Sequence, residues 1–483
     1  MDPLFSSDVI GKLREAVEKA GYTVDGVNAA LGPQAAAALG RGDLLPARRA
    51  TSGGSPLETL INLFVCGGVL STPAVQAAIE PLRVDQALSV GLLEPARGGL
   101  RAAIDLRPYG DDDGDWWVVS DLGTDVRPGP LAADHVLGIG GAALTLASAT
   151  VRQEVGSALD IGIGCGIQAL HLARHSRKIT GTDINPRALA MAATTAALNG
   201  LHWELLEGDL AEPVTGRRFD LVVSNPPFVI GTGEATHVYR DSGRSADGVV
   251  AEMLGAATGL LTDGGWLQLL GNWLHVAGQE WTERVGGWLP ERCDAWVVQR
   301  EVLDPAEYVA MWLRDAGEDA TRADRWLDWF AEHDVEGVGF GLVTVRASNV
   351  DSPSQVLEDL RQQTDHPLGI QVREFFGRLS AVRGGLLDLH LVADPSVRLT
   401  QEAVRGADGW EVEEQLLTGG GLRAAHAVDP LVVALVGGCD GTLSLRDQLT
   451  MLAQAHDTDP ATLHAAAELV VGPLVRHGLL RPL

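Results

Sequence analysis

Cysteine is scarce in this 483-residue chain: Cys66, Cys165, Cys293 and Cys439 are the only four. They are too scattered for a disulfide framework and lack the paired spacing of a zinc site, so free thiols and no metal are expected. Long apolar runs are also missing. None reaches the roughly 18 residues that a membrane-crossing helix needs, and no membrane partner is expected. The opening Met1-Asp2-Pro3-Leu4 lacks the basic and then apolar pattern of a secretory leader, which makes the cytoplasm the expected compartment. Positive charge is in deficit, with 37 Lys and Arg against 64 Asp and Glu and a formal net charge of -27. Such a field repels phosphate backbones unless basic side chains gather on one face, so nonspecific nucleic-acid binding is disfavoured while a local basic groove stays possible.

What is present is globular: 46% hydrophobic and 21% charged residues, without low-complexity sequence. The length suits three domains. Residues 1–126 read as a helical, winged-helix-like N-terminal domain, with helical spacing from Ser6 to Leu31, Val90–Pro95 after further helices, and a strand pattern over Leu100–Leu106. Residues 127–349 alternate apolar strands with helices, the pattern of an α/β doubly wound sheet. Its seven expected strands are Ala158–Gly162, Lys178–Ile184, Trp203–Gly208, Phe219–Ser224, Gly265–Leu270, Ala295–Val302 and Val338–Val345. Asp351–Ser354 reads as a linker. Residues 350–483 read as an α+β C-terminal domain with a strand pattern over Leu386–Val392 and a winged-helix-like pattern at its end. Gly91-Leu92-Leu93-Glu94-Pro95 and Gly478-Leu479-Leu480-Arg481-Pro482 share an ending that is either a duplicated module or a common helix stop.

In the middle domain Asp160-Ile161-Gly162-Ile163-Gly164-Cys165-Gly166 lies between a strand and the helix-like Gln168–Arg174. Glycines on such a turn let the backbone bend tightly and approach a ligand. Alone the triplet is weak, because dinucleotide and phosphate sites use the same turn. Asp183 ends the next strand, where a carboxylate can accept both hydroxyls of a ribose. Asp160 immediately before the glycines suits a cationic amino-acid moiety and would repel a pyrophosphate. Asp209, in Glu207-Gly208-Asp209-Leu210 after the third strand, is placed to accept from an adenine amino group. Cys165 has no histidine base nearby in the motif and reads as a small loop residue.

Asn225-Pro226-Pro227-Phe228 closes the fourth strand, at the carboxyl edge where open α/β sheets bind ligands. The Asn225 side-chain oxygen and the Pro226 carbonyl can each accept an N–H from a planar amine. Held in this way, the amine can pyramidalise and direct its lone pair, with the gain greatest in the transition state. Two prolines stiffen these acceptors, and Phe228 offers a face for stacking. Without such a neighbouring pocket, the same four residues would read as an ordinary turn.

These motifs together, from Asp160 to Phe228, resemble the class I S-adenosylmethionine-dependent methyltransferases. Within that family the ending is similar to the Asn-Pro-Pro-aromatic group that methylates amino and amide nitrogens in rRNA bases, DNA adenine and release-factor glutamine. The resemblance implies a seven-stranded Rossmann-like sheet and S-adenosylmethionine as cofactor, held by Asp160, Gly162, Gly164, Gly166, Asp183, Asn185, Asp209, Leu210 and Asn225. It also implies that Asn225, Pro226, Pro227 and Phe228 form the chemical site, with Tyr239 and Arg240 of a downstream loop on the substrate. His135, in a stretch that family resemblance puts beside the cofactor, reads as structural. Trp266, Trp273, Trp281, Trp288 and Trp296 recur at seven or eight residues, which burial explains better than a base-stacking surface. The expected acceptor is an RNA base, most of all in rRNA; protein glutamine and a noncatalytic cofactor-binding role are the alternatives. A basic face between Arg97 and Arg107 would favour RNA. The oligomeric state is not legible.

Overall fold

Ser6 starts the first helix, α1 (Ser7–Ala20), by accepting from the Val9 amide, and Gly21 ends it with φ 68°. Its apolar residues recur at three and four, so Val9, Ile10, Leu13, Ala16 and Val17 are buried on one stripe. The helices α2 (Val24–Leu39), α3 (Leu44–Ala50), α4 (Pro56–Leu60), α5 (Thr72–Ile79) and α6 (Val84–Ser89) follow, and α2 breaks at Gly32 ahead of Pro33. Then come two antiparallel hairpins, β1 (Leu93–Ala96) with β2 (Gly99–Ala102), and β3 (Asp105–Asp111) with β4 (Gly114–Ser120). The single strand expected over 100–106 is therefore two, parted at Ala103 and Ile104. Its apolar pattern runs through the break, which is why periodicity did not register it.

This is a computed structural model that describes residues 1–111, 114–129, 131–227, 229–231, 244, 246–315, 323–406 and 409–483. The described residues fall into two compact units. The first comprises Met1–Ala147, Glu154–Glu291 and Glu301–Asn349; the second comprises Ser148–Gln153, Arg292–Arg300 and Val350–Leu483. In the first unit β5 (Val155–Ile161), β6 (Ser176–Asp183), β7 (Glu204–Glu207), β8 (Phe219–Ser224) and β9 (Leu261–Val276) are parallel neighbours in the order β9-β8-β5-β6-β7. The strand β10 (Cys293–Leu303) falls mainly in the second unit, and β11 (Val335–Ala347) pairs antiparallel with β9 in the first. All seven expected strands exist, but the compact first unit holds six of them: the expected strand over 295–302 is grouped with the C-terminal residues.

Helix α7 (Gly141–Ala149) leads into β5, and α8 (Ile167–Leu172), α9 (Pro186–Leu198) and α10 (Gly248–Leu260) connect the strands that follow. The chain runs outward through β5, β6 and β7 and returns to β8 on the other side of β5, so the sheet reverses direction between β5 and β8. Ligands of open α/β sheets bind at such a reversal, beyond the carboxyl ends of the strands. The N-terminal helices belong to the same packed unit. Arg14 on α1 donates to the carbonyls of Leu198 (2.6 Å) and Ala197 at the end of α9, occupying groups the helix leaves free.

In the second unit β10 pairs in parallel with β12 (Gln355–Asp359). A core of Leu391, Leu435, Leu449, Leu474, Leu479 and Leu480 packs helices against small sheets. The strand expected over 386–392 is a 3-10 turn at Leu386–Asp388 followed by a short strand at His390–Ala393. Gly91 and Gly478, which open the two similar endings, both follow a helix with positive φ (73° and 84°) and lead into a short strand, Leu93–Ala96 or Leu480–Pro482. A common helix stop accounts for that likeness.

Candidate active site

The turn after β5 is fixed by the strand beside it. Both the Gly162 and Ile163 amides donate to the Thr182 carbonyl at 2.9 Å, and the Gly164 amide donates to Asp183 Oδ2 at 2.9 Å. Gly162, Gly164 and Gly166 all have positive φ, at 72°, 56° and 93°. Their requirements differ. A Cβ at Gly164 would meet nothing within 4 Å, whereas one at Gly166 would lie 2.6 Å from the Trp203 ring. Gly166→Ala is therefore expected to combine left-handed strain with overpacking and to destabilise the chain by about 2–4 kcal/mol, against about 1–2 kcal/mol for Gly164→Ala. Chemical denaturation of both variants checks the difference.

The turn borders a cavity of about 550 Å³ within the first unit, a size typical of small-molecule sites. Gly162, Gly164, Asp183, Asn185, Asp209, Leu210, Asn225 and Pro227 line it, bringing together residues that are up to 65 positions apart in sequence. Asp183 accepts from Gly164 through Oδ2 and from the Asn185 amide through Oδ1 (2.9 Å), and burial raises its pKa while these amides oppose the rise. Each oxygen keeps a second lone pair for a ligand. Asn185 is the N-cap of α9: its Oδ1 accepts from Arg187 and its Nδ2 donates to the Asp134 carbonyl, which leaves its side chain a structural task. Asp209 pairs with Arg244 through Oδ2 at 2.9 Å and leaves Oδ1. Leu210, with φ 43°, accepts from Thr182 through its carbonyl.

Asp160 and Gly166 are not on the cavity wall. The strand carries Asp160 into the core, 1% exposed, and among the described residues neither of its oxygens has a well-formed hydrogen bond, the Ala169 amide being only a loose neighbour. Burial pushes its pKa up to about 8, the nearby Ala169 amide lowers it, and the charge of Asp183 adds to the rise. Because the folded-state value lies above the ordinary 3.8, the fold holds this proton more tightly than the unfolded chain, and stability falls as pH rises from about 4 to about 8. Asp160→Asn, which cannot ionise, should raise the melting temperature by roughly 5 °C more at pH 8 than at pH 5. Thermal scans at the two values would reject this if the gains were equal. Cys165 is buried with its thiol pushed up to about 12, in keeping with a small loop residue and not a nucleophile.

Asn225 stands across the cavity from β6. Its Oδ1 is buried and has no hydrogen-bond partner among the described residues. Ser224 before it is tied to the Ile161 carbonyl at 2.8 Å, and beyond Pro227 the chain is clamped again. The Ile230 amide donates to Tyr308 Oη (2.8 Å), and Trp326 Nε1 donates to the Ile230 carbonyl (2.9 Å). Tyr308, Trp326 and Phe330 are buried around this strap. Sequence reading did not find this clamp, whose anchors lie about 80 and 100 residues downstream. Pro226 is buried, while Phe228, Tyr239 and Arg240 lie outside the described residues.

Other wall residues were not foreseen as site residues: Asp105 and Arg107 from β3, Asp121, Asp125, Gln168 and Trp312. His135, read as structural, is also on the wall, 3.7 Å from Asp121. Asp121 in turn pairs with Arg187 and accepts from the Val136 amide. The stretch from Arg97 to Arg107 is not an open basic face: Arg101 pairs with Glu94 and Arg107 with Asp105, each at 2.6 Å. Of the spaced tryptophans, Trp266, Trp273 and Trp296 are buried, and Trp273 stacks on Trp281 at 5.5 Å.

Residues 138–279 match the family model described as methyltransferase small domain. Residues 19–103 and 373–482 match two models described only as domains of unknown function. The chain is 33% identical over 177 residues to ribosomal RNA small subunit methyltransferase C of Cronobacter sakazakii, covering 35% of this chain and 48% of that protein. It is 32% identical over 176 residues to the protein of the same name from Escherichia coli, with 35% and 48% covered. The chain thus spans about half the length of these curated relatives. Among solved structures, the T. thermophilus 16S rRNA methyltransferase in complex with AdoMet and guanosine is 19% identical, with a TM-score of 0.26 over 47% of this chain and 63% of that one.

Proposed function

We propose that the chain is an S-adenosylmethionine-dependent N-methyltransferase whose acceptor is an exocyclic amino group of a ribosomal RNA base. The observation that carries this reading is the buried, unpartnered Asn225 Oδ1 on the wall of the same cavity as the glycine turn and Asp183. The likeness to curated rRNA methyltransferases supports the choice of acceptor.

The residues fit the cofactor. Gly162 and Gly164 leave the turn open to a ligand, Asp183 has lone pairs for a ribose diol, and Asp209 Oδ1 is free for an adenine amino group. S-adenosylmethionine, when bound, supplies a methyl group already activated on a sulfonium. Alignment is then the main task of the protein. Asn225 Oδ1 accepts one N–H of the incoming amine and the Pro226 carbonyl another, which holds the nitrogen lone pair toward the cofactor side of the cavity. The pair of prolines and the Tyr308–Trp326 clamp keep these acceptors from relaxing away, so the hydrogen bonds strengthen as the nitrogen becomes tetrahedral. By family resemblance Phe228 is proposed to stack the planar acceptor, and Tyr239 and Arg240 to contact the substrate.

The test is to incubate the full chain with methyl-labelled cofactor and, in separate reactions, small ribosomal subunits, free 16S rRNA and release factors. Nucleosides and peptides from each are then resolved by mass spectrometry. Label on an exocyclic base nitrogen is the expected result. Label on glutamine alone would replace RNA by protein as the acceptor, and label on a carbon or ribose oxygen would overturn the amine mechanism.

A further inference from the structure

We infer that Arg107 and Asp105, on the β3 hairpin and outside the matched methyltransferase segment, grip the amino-acid end of the cofactor, Arg107 taking its carboxylate and Asp105 its ammonium. This rests on the cofactor reading above and names side chains for the part of the ligand that the glycine turn leaves unaccounted for.

The placement follows from the sheet. Along its carboxyl edge the turn after β5 lies between Asn225 on β8 and Asp183 on β6, with Asp209 beyond β7. With adenine held by Asp209 and ribose by Asp183, the methionine portion would lie over the glycine turn. Asp105 and Arg107 line the same cavity as Gly162, Gly164 and Cys165 of that turn.

The two side chains form an incomplete pair. Arg107 donates through Nε to Asp105 Oδ2 at 2.6 Å, and among the described residues neither of its terminal nitrogens has a hydrogen-bond partner. Those two N–H groups form the fork that binds a carboxylate in bidentate fashion. Asp105 is 4% exposed, and its Oδ1 has no hydrogen-bond partner, an unsatisfied buried oxygen of the kind that proteins seldom leave without a ligand. Tyr22 does not serve it: its hydroxyl donates to the Leu106 carbonyl. Asp125 adds a third charge to the same wall. Burial pushes the Asp105 carboxyl up to about 7 against the opposing pull of Arg107, so an arriving ammonium would favour its charged form, and the wall's carboxylates then complement a ligand end that carries an ammonium and a sulfonium.

The experiment is calorimetric titration of the full chain with S-adenosylmethionine and with its decarboxylated analogue, which keeps the ammonium and sulfonium. Wild type should bind the decarboxylated ligand about 30-fold more weakly, the loss expected for a bidentate charged hydrogen bond. In Arg107→Met the affinity for S-adenosylmethionine should fall to that level, leaving the two ligands within about 3-fold of each other; Arg107→Lys should lie between. Equal binding of both ligands by wild type overturns the inference without any variant. A 30-fold gap that survives in Arg107→Met overturns it too, by moving the carboxylate elsewhere. Wild type that binds neither ligand defeats the cofactor reading itself, so the two failures are distinct.

Discussion

Asn225→Ala lowers the rate of methyl transfer by about 10²–10³-fold at saturating cofactor and acceptor, the loss typical of removing one pre-organised hydrogen-bonding group aimed at the transition state. Cofactor affinity changes by less than about 3-fold, a small differential free energy by the usual conversion. The size of the effect follows from rigidity. Ser224 is tied to Ile161 on one side of Asn225 and Ile230 to Tyr308 and Trp326 on the other, so the backbone on both sides of Asn225 is held in place. Because Asn225 Oδ1 is buried and unpartnered before any acceptor arrives, its removal also costs the free protein little stability. Single-turnover transfer with labelled cofactor measures the rate, and calorimetry measures the affinity. A variant that transfers as fast as wild type would remove the amine mechanism, and one that loses cofactor affinity in parallel would leave Asn225 only the cofactor-holding role that the family resemblance also implies.

Asp183→Ala has the opposite signature. Cofactor affinity falls by about 100-fold or more, from the loss of charged hydrogen bonds to the ribose and of the acceptor that fixes the Gly164 and Asn185 amides. Turnover at saturating cofactor stays within a few fold, because the acceptor-holding turn is on another strand. Asp183→Asn keeps an acceptor for one amide and should lose less. Calorimetry with both variants decides the matter, and an unchanged affinity in Asp183→Ala would exclude this carboxylate from the ribose.

Much of this site was legible because its residues follow strands directly. The apolar runs that end at Asp160, Asp183, Asp209 and Asn225 identify themselves, and a parallel sheet brings its carboxyl ends to one edge whatever lies between them. What local pattern cannot carry is pairing at a distance. Arg107 and Asp105 sit in a hairpin that reads as an ordinary amphipathic ribbon, and only folding brings it to the glycine turn. The Tyr308 and Trp326 clamp has no sequence mark beyond aromatic residues in helices. Depth is equally invisible: Asp160 reads as a ligand residue from its neighbours, and the strand that carries it leads into the core. The break at Ala103–Ile104 passed unseen because both flanks alternate in the same way.

Saturable binding of S-adenosylmethionine is the most direct check on the whole account. Thermal unfolding of the full chain should shift upward with added cofactor, following one site per chain and reaching about 2.7 kcal/mol of stabilisation at 100 times the dissociation constant. The shift should be strongly reduced in Asp183→Ala and retained in Asn225→Ala. No shift at millimolar cofactor, or an equal shift in wild type and Asp183→Ala, would contradict the claim that the cavity beside the glycine turn holds the methyl donor.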